Sequence, residues 1–148
     1  MIRIALLLLV FTVPAHAQKE EKAIKAVINR FFEGMEKGDT AILLSTCTKE
    51  PVLQTYMANR EGQLMVFTEP FSDFVDFVGG EHKDKFKEVI EFEAIHVETS
   101  LASVWTPYKF YLNGKISHCG TNSFQLVKTT EGWKIQYILD TRRKKDCG

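Results

Sequence analysis

The sequence predicts an α+β fold, with helices first and an antiparallel sheet second. Three observations carry that expectation. Residues 18–37 place apolar side chains at helical spacing, whereas residues 87–141 are rich in β-branched and aromatic side chains with strand-like alternation. An Asn113-Gly114 pair lies between two of those apolar runs, the strongest short hairpin signal. No repeat or linker divides the chain, so only the N-terminal helices can cover the sheet's apolar face.

The chain opens on MIRIALLLLVFTVPAHA. Arg3 supplies a positive start, residues 4–13 form an uncharged apolar run, and Ala15-His16-Ala17 fits a small-x-small cleavage site. Ten such residues are too few for a membrane anchor, which takes about 20. Residues 1–17 are therefore expected to be a secretory signal, cleaved after Ala17. Residues 18–148 would then form a single domain in the periplasm or outside the cell, with no transmembrane anchor.

Residues 18–37 follow as the clearest helix. Ala23, Ile24, Val27, Ile28, Phe31, Phe32 and Met35 make one apolar stripe, and Glu20, Glu21, Lys25, Glu33 and Lys37 lie on the other face. Gly38 suits the position after a helix end, where a left-handed conformation is needed. Asp39 or Thr40 can cap a short helix over 41–46. Residues 51–68 read as two short strands around a turn at 59–62. Pro70 marks the start of a helical face over 71–78, and Gly79-Gly80 ends it. A meander of strands over 87–99, 101–111, 116–127 and 133–141 completes the chain.

The chain has 148 residues, with 19 basic and 19 acidic, so its formal net charge is zero. Non-specific nucleic-acid binding rests on a basic excess, and none is present. Loss of the leader removes Arg3 and leaves 131 residues with a net charge of −1. No C-x-x-C or H-x-x-x-H spacing offers converging ligands, so neither a metal nor another cofactor is expected.

Alternation sorts the last two strands. Trp133, Ile135, Tyr137 and Leu139 share one face, with Lys134, Gln136, Ile138 and Asp140 opposite. If Lys128 pairs with Trp133, then Leu126 faces Ile135 and Phe124 faces Tyr137, apolar against apolar. His118, Gly120 and Asn122 continue the buried face of Phe124 and Leu126. His118 and Asn122 then stand where the apolar residues run out, as polar groups at the mouth of a pocket would. Asp140 and Arg142 are expected to face outward or toward a second subunit. The same register sets Cys119 opposite Arg142 on the reverse face, within reach of a tail that brings back Cys147. A Cys119–Cys147 bridge and two separate thiols both remain open at this point. Cys47, in an apolar stretch, reads as a buried inert thiol.

Trp105, Tyr108, Phe110 and Tyr111 form an aromatic strand. Pro107 removes a ladder donor beside Tyr108, which marks an edge or a bulge. His118 and Cys119 are adjacent on a strand and point to opposite faces, so they do not make a nucleophilic dyad. His96 lies on a strand of uncertain facing, and His82 lies in the charged run EHKDK, where solvation is expected.

Three segments carry a resemblance: EEKAIKAVINRFFEGMEKGDT, ASVWTPYKFYLNGKISHCGTNSFQLVK and GWKIQYILDTRRKKDC. Together they resemble the nuclear-transport-factor-like superfamily, also called the ketosteroid isomerase-like or SnoaL-like α+β cone. More closely, they resemble a secreted bacterial subfamily described as lumazine-binding-like. The resemblance implies N-terminal helices packed in the concave face of a strongly bent sheet, a cystatin-like arrangement with a cavity at its wide end. The superfamily holds isomerases, dehydratases and pure binding domains, so the fold alone fixes no activity.

The leading expectation is a binding domain for a small, flat or apolar molecule, with Trp105, Tyr108, His118, Asn122 and Tyr137 as pocket residues. An alternative is acid–base chemistry of the isomerase or dehydratase type, with His118 or His96 as base and Tyr108 as hydrogen-bond donor. A third is a protein–protein module, a homodimer through the sheet face; its outward set of Ile138, Val127 and Cys119 is only weakly apolar, so dimerisation is what the resemblance implies.

Overall fold

The computed structural model describes residues 15–147. Helix α1 spans Ala15–Lys37, α2 Thr40–Thr46 and α3 Phe71–Gly79; the strands are β1 Cys47–Ala58, β2 Leu64–Glu69, β3 Phe86–Ile90, β4 Ala94–Val97, β5 Leu101–Leu112, β6 Lys115–Thr129 and β7 Gly132–Thr141. Most of the leader read over residues 1–17 lies outside the described residues, and Ala15 to Ala17 form the first turn of α1. No described helix is long and apolar enough to cross a membrane.

The helices begin and end where their residues dictate. Gly38 takes φ +68°, and the amides of Gly38 and Asp39 reach back to the carbonyls of Met35 and Gly34 at 3.4 and 2.9 Å. That pair of bonds is a Schellman ending, which satisfies the last carbonyls of α1. The Asp39 side chain then accepts from the Ile42 amide at 2.9 Å and caps α2. Asn113 and Gly114 both have positive φ, as the tight hairpin between β5 and β6 requires.

Seven strands form one curved sheet in the order β2-β1-β7-β6-β5-β3, with β4 also pairing to β5. All pairings are antiparallel except β1 with β7. The concave face is filled by the apolar stripe of α1, with Ile24 and Ile28 fully buried against Phe124, Leu126, Val104 and Ile135. Burying each such side chain contributes about 1.5–3 kcal/mol.

Two departures from the expected strands have local causes. The strand expected over 87–99 is two strands, β3 and β4, interrupted opposite Pro107. Pro107 accepts from the Glu91 amide at 2.9 Å but has no N–H to return. The ladder therefore opens at that point.

The second departure decides the site. Lys128 pairs with Trp133 and Leu126 with Ile135, as expected, but Gln125 then pairs with Tyr137 and Phe124 with Ile138. Gln136 is the extra residue of a bulge, and its side chain donates to the Glu50 carbonyl where β1 also departs from regular pairing. Beyond Gln136 every side chain changes face. Ile138 and Asp140 turn inward and are buried, whereas Tyr137 turns to the convex side and donates to Gln54 Oε1 at 2.7 Å. The outward set read as Ile138, Val127 and Cys119 is thus corrected, since Ile138 and Cys119 are both buried.

The same one-residue slip pairs Cys119 with Arg143 instead of Arg142, through reciprocal backbone bonds of 3.0 and 2.9 Å. Cys119 and Cys147 form a disulfide with Cα atoms 5.6 Å apart. Cys47 is a buried free thiol, and burial pushes its pKa up to about 11.

Candidate ligand cavity

The open end of the cone holds a cavity of about 350 Å³. Its floor and one wall are aromatic. Phe31 and Phe32 come from α1, Phe74 and Phe77 from α3, Phe86 from β3, Phe110 from β5 and Phe124 from β6. Phe31 and Phe74 stack at 5.9 Å. Phe86, Phe110 and His118 form a tier of nearly parallel rings, 6.5 and 4.7 Å between centroids. Flat surfaces of this kind suit a flat ligand.

The opposite end is polar, and Asp140 is its centre. Asp140 Oδ1 accepts from Thr55 Oγ1 at 2.5 Å. Oδ2 accepts from the Tyr108 hydroxyl at 3.1 Å and from Arg142 Nε at 3.0 Å. The Tyr108 hydroxyl also lies 3.0 Å from the Thr141 carbonyl, and Arg142 Nη2 donates to Thr55 Oγ1 at 3.3 Å. Burial and the Asp140 charge push the Tyr108 phenol well above its ordinary value, so it remains a donor.

A second carboxylate, Glu88 of β3, accepts from Asn122 Nδ2 at 2.8 Å. Burial pushes its pKa up to about 7. Burial also raises the Glu69 carboxyl at the end of β2. The His118 imidazole is held below its ordinary value, first by burial and then by Arg142, which favours its neutral form.

Of the residues read from sequence, Tyr108, His118 and Asn122 come together in this cavity. The rings of Tyr108 and His118 meet edge-on at 5.8 Å. Trp105 and Tyr137 are not among its lining residues. Trp105 is 48 % exposed, pairs with Ser123 on β6, and lies on the opposite face from buried Val104 and Thr106. His96 is exposed and pairs with Ser103, away from the cavity. His82 is exposed but not merely solvated, because its ring packs 4.7 Å from both Phe77 and Phe86.

Sequence reasoning missed Glu88, Thr55 and Glu69, and turned Asp140 and Arg142 outward. For Glu88 a signal existed. It shares a strand face with Phe86 and Ile90, and a carboxylate in phase with apolar residues is either solvated at an edge or functional. Among the described residues, no group of His, Cys, Asp or Glu is arranged to hold a metal ion.

This geometry defines a class: an α+β cone with a cavity between a curved sheet and its N-terminal helices. Solved structures of that class match the chain closely in shape. An NTF2-like protein of unknown function from Shewanella baltica superposes with a TM-score of 0.67 at 16% identity, over 90% of this chain and 99% of that one. A domain with a cystatin-like fold from Nostoc punctiforme gives 0.63 at 17%, over 91% of this chain and 82% of that one. An NTF2-like protein from Streptomyces avermitilis, described as a candidate dehydratase, gives 0.67 at 13%, over 86% and 99%. The fold is therefore NTF2-like. No family model and no curated protein matches the chain.

Proposed function

We propose that this chain is an exported binding protein whose cavity holds a small molecule with a flat, apolar body. The carrying observation is the cavity wall. Seven of the chain's eleven Phe residues line one space of about 350 Å³, beside a polar end. A wall of that composition rewards ring-shaped apolar surface, and a few polar groups fix orientation. The three segments that resemble the lumazine-binding-like subfamily support the same reading, as does the export expected from the leader.

The polar end supports binding over catalysis. Tyr108, the expected hydrogen-bond donor to a substrate, spends its hydroxyl on Asp140 and Thr141. A thermal-shift screen of flat ring compounds tests the reading. A true ligand at about 100 times its dissociation constant raises stability by about 2.7 kcal/mol. The gain should vanish in Phe110→Ala, which opens the aromatic tier. If no ring compound shifts the protein, and native mass spectrometry of freshly purified material shows no bound mass, the reading falls. Intact mass from a periplasmic fraction tests export, with the chain expected to begin at Gln18.

One observation favours a second reading. Glu88 lies in the cavity with a pKa of about 7, the poise that general acid–base work needs. In an isomerase- or dehydratase-like enzyme Glu88 would then carry the proton, in place of the His118 and Tyr108 pair. Chemical change in a bound compound, lost in Glu88→Gln while binding persists, would establish it; an unchanged compound leaves the binding reading in place.

A further inference from the structure

We infer that the cavity selects a cation: a protonated amine on a flat apolar body, with its ammonium at Glu88. This rests on the proposed role of the cavity as a binding site and names the ligand's charge and hydrogen-bonding class.

The inference comes from what the polar end has left to offer. Each donor group there already gives at least one hydrogen within the protein. Thr55 and Tyr108 donate to Asp140, and Asn122 donates to Glu88. Arg142 is held by Asp140 and Thr55. The group with acceptor capacity to spare is Glu88, whose second oxygen has no protein donor among the described residues. Glu69 adds a third carboxylate to the lining. A ligand that complements such a site must donate. An ammonium is donor-only, with three hydrogens to give.

Charge points the same way. Glu69, Glu88 and Asp140 line the cavity against one guanidinium, and Arg142 already forms an ion pair with Asp140 at 3.0 Å. Among the described residues no lysine or arginine forms an ion pair with Glu88, which is part-buried beside Asn122 and feels Arg142 only through space. A part-buried carboxylate without a directly paired cation is unfavourable, and an incoming ammonium supplies that pair. Phe86 and Phe110 line the same cavity and supply aromatic surface for the apolar body of the ligand.

A matched trio of probes tests this on the full chain by isothermal titration at neutral pH: naphthylethylamine, naphthylethanol and naphthylacetate. They share a ring body and differ in charge. The amine should bind at least about tenfold more tightly than the alcohol, a difference of about 1.4 kcal/mol. The carboxylate should bind most weakly. Glu88→Gln should erase the amine's advantage and leave alcohol binding unchanged. Glu69→Gln, at an exposed strand end, should reduce the advantage in a variant whose folding is secure. An alcohol as tight as the amine, or a carboxylate tighter than both, overturns the cation inference and leaves the cavity reading intact, with free guanidinium hydrogens on Arg142 as the site for an anion. If none of the three binds, the cavity reading fails with it.

Discussion

The Tyr108 hydroxyl meets Asp140 Oδ2 at 3.1 Å across the curved sheet, and only the extra residue Gln136 in β7 allows it. Without that bulge Asp140 would share the outward face of Lys134, and the cavity would have no polar centre. Asp140 collects hydrogen bonds from Tyr108, Thr55 and Arg142. The predicted consequence is an asymmetry. Tyr108→Phe removes one bond to a carboxylate and should cost about 1.5–3 kcal/mol. Asp140→Ala leaves three donors without their acceptor and should cost more than Tyr108→Phe. Urea denaturation measures both, and equal midpoints for the two variants would show that Asp140 does not organise the cluster.

Gly120 is the second requirement of that meeting. A Cβ at Gly120 would overlap the Thr141 carbonyl and come within 2.9 Å of the Tyr108 ring. Backbone cannot yield there, because Thr141 ends β7 and Arg143 pairs with Cys119. Gly120→Ala is expected to destabilise by about 1–3 kcal/mol through overpacking, and to shift the Tyr108 ring signals in NMR spectra. A variant with native stability and unmoved Tyr108 resonances would mean that the β7 end is freer than the packing indicates.

These two residues also show what could be read from sequence. The phase of β6 was legible because His118, Gly120 and Asn122 keep strict alternation with Phe124 and Leu126, and burial follows it from Gly120 onward, Cys119 being buried on the other face in its disulfide. The hairpin at Asn113-Gly114 and the Gly38 helix end were legible because each needs a backbone conformation that few residues adopt. The bulge at Gln136 was not. Nothing in GWKIQYILD marks it, since it arises where β6 and β1 both lose register against β7. One unseen residue therefore displaced Tyr137, Ile138, Asp140 and the Cys119 pairing together. The aromatic wall from α1 and α3 was hidden for another reason: which rings converge depends on tertiary packing, not on the period of any one element.

Glu88 should make stability depend on pH. Its carboxyl titrates near 4.5 when exposed and at about 7 in the folded protein. Between those values the folded state keeps a proton that the unfolded state has released. Stability is therefore greatest below about pH 4.5 as far as this group is concerned, and falls as pH rises through the window. The loss has an upper bound of about 3 kcal/mol. Glu88→Gln should flatten the fall between about pH 5 and about pH 8 in denaturation experiments. An unchanged slope in the variant would show that Glu88 is solvated.

The Cys119–Cys147 bridge joins residues 28 positions apart and closes a loop that contains the whole of β7 and Arg142. In the chain-entropy account a loop of that length contributes about 3 kcal/mol. Replacing both cysteines by serine should lower the denaturation midpoint by a corresponding amount and loosen Arg142 from Asp140. Alkylation gives an independent count. Cys47, buried and with its pKa pushed up to about 11, should resist the reagent in the native protein. Unfolding without reductant should expose one thiol, and unfolding with reductant should expose all three cysteines of the sequence. Three reactive thiols without reductant would contradict the bridge.

Glu20 anchors the start of α1 to the far end of the sheet. Its Oε2 accepts from the buried Trp133 indole at 2.8 Å and from Lys128 Nζ at 2.8 Å, and Lys128 sits 5.6 Å over the Trp133 ring. Glu20→Ala leaves a buried indole N–H without this acceptor, which should cost about 1–3 kcal/mol. Glu20→Gln keeps an acceptor oxygen and should cost less. Lys128→Ala should cost least, because Lys128 is part-exposed and a surface ion pair contributes about 1 kcal/mol or less. Fluorescence can follow the anchor directly. The chain has two tryptophans, and Trp105 is the exposed one. In a Trp105→Phe background the emission reports Trp133 alone. It should shift to the red in Glu20→Ala as water reaches the indole, and stay in place in Lys128→Ala. A red shift in Lys128→Ala equal to that in Glu20→Ala would assign the anchor to the ion pair instead of to the buried hydrogen bond.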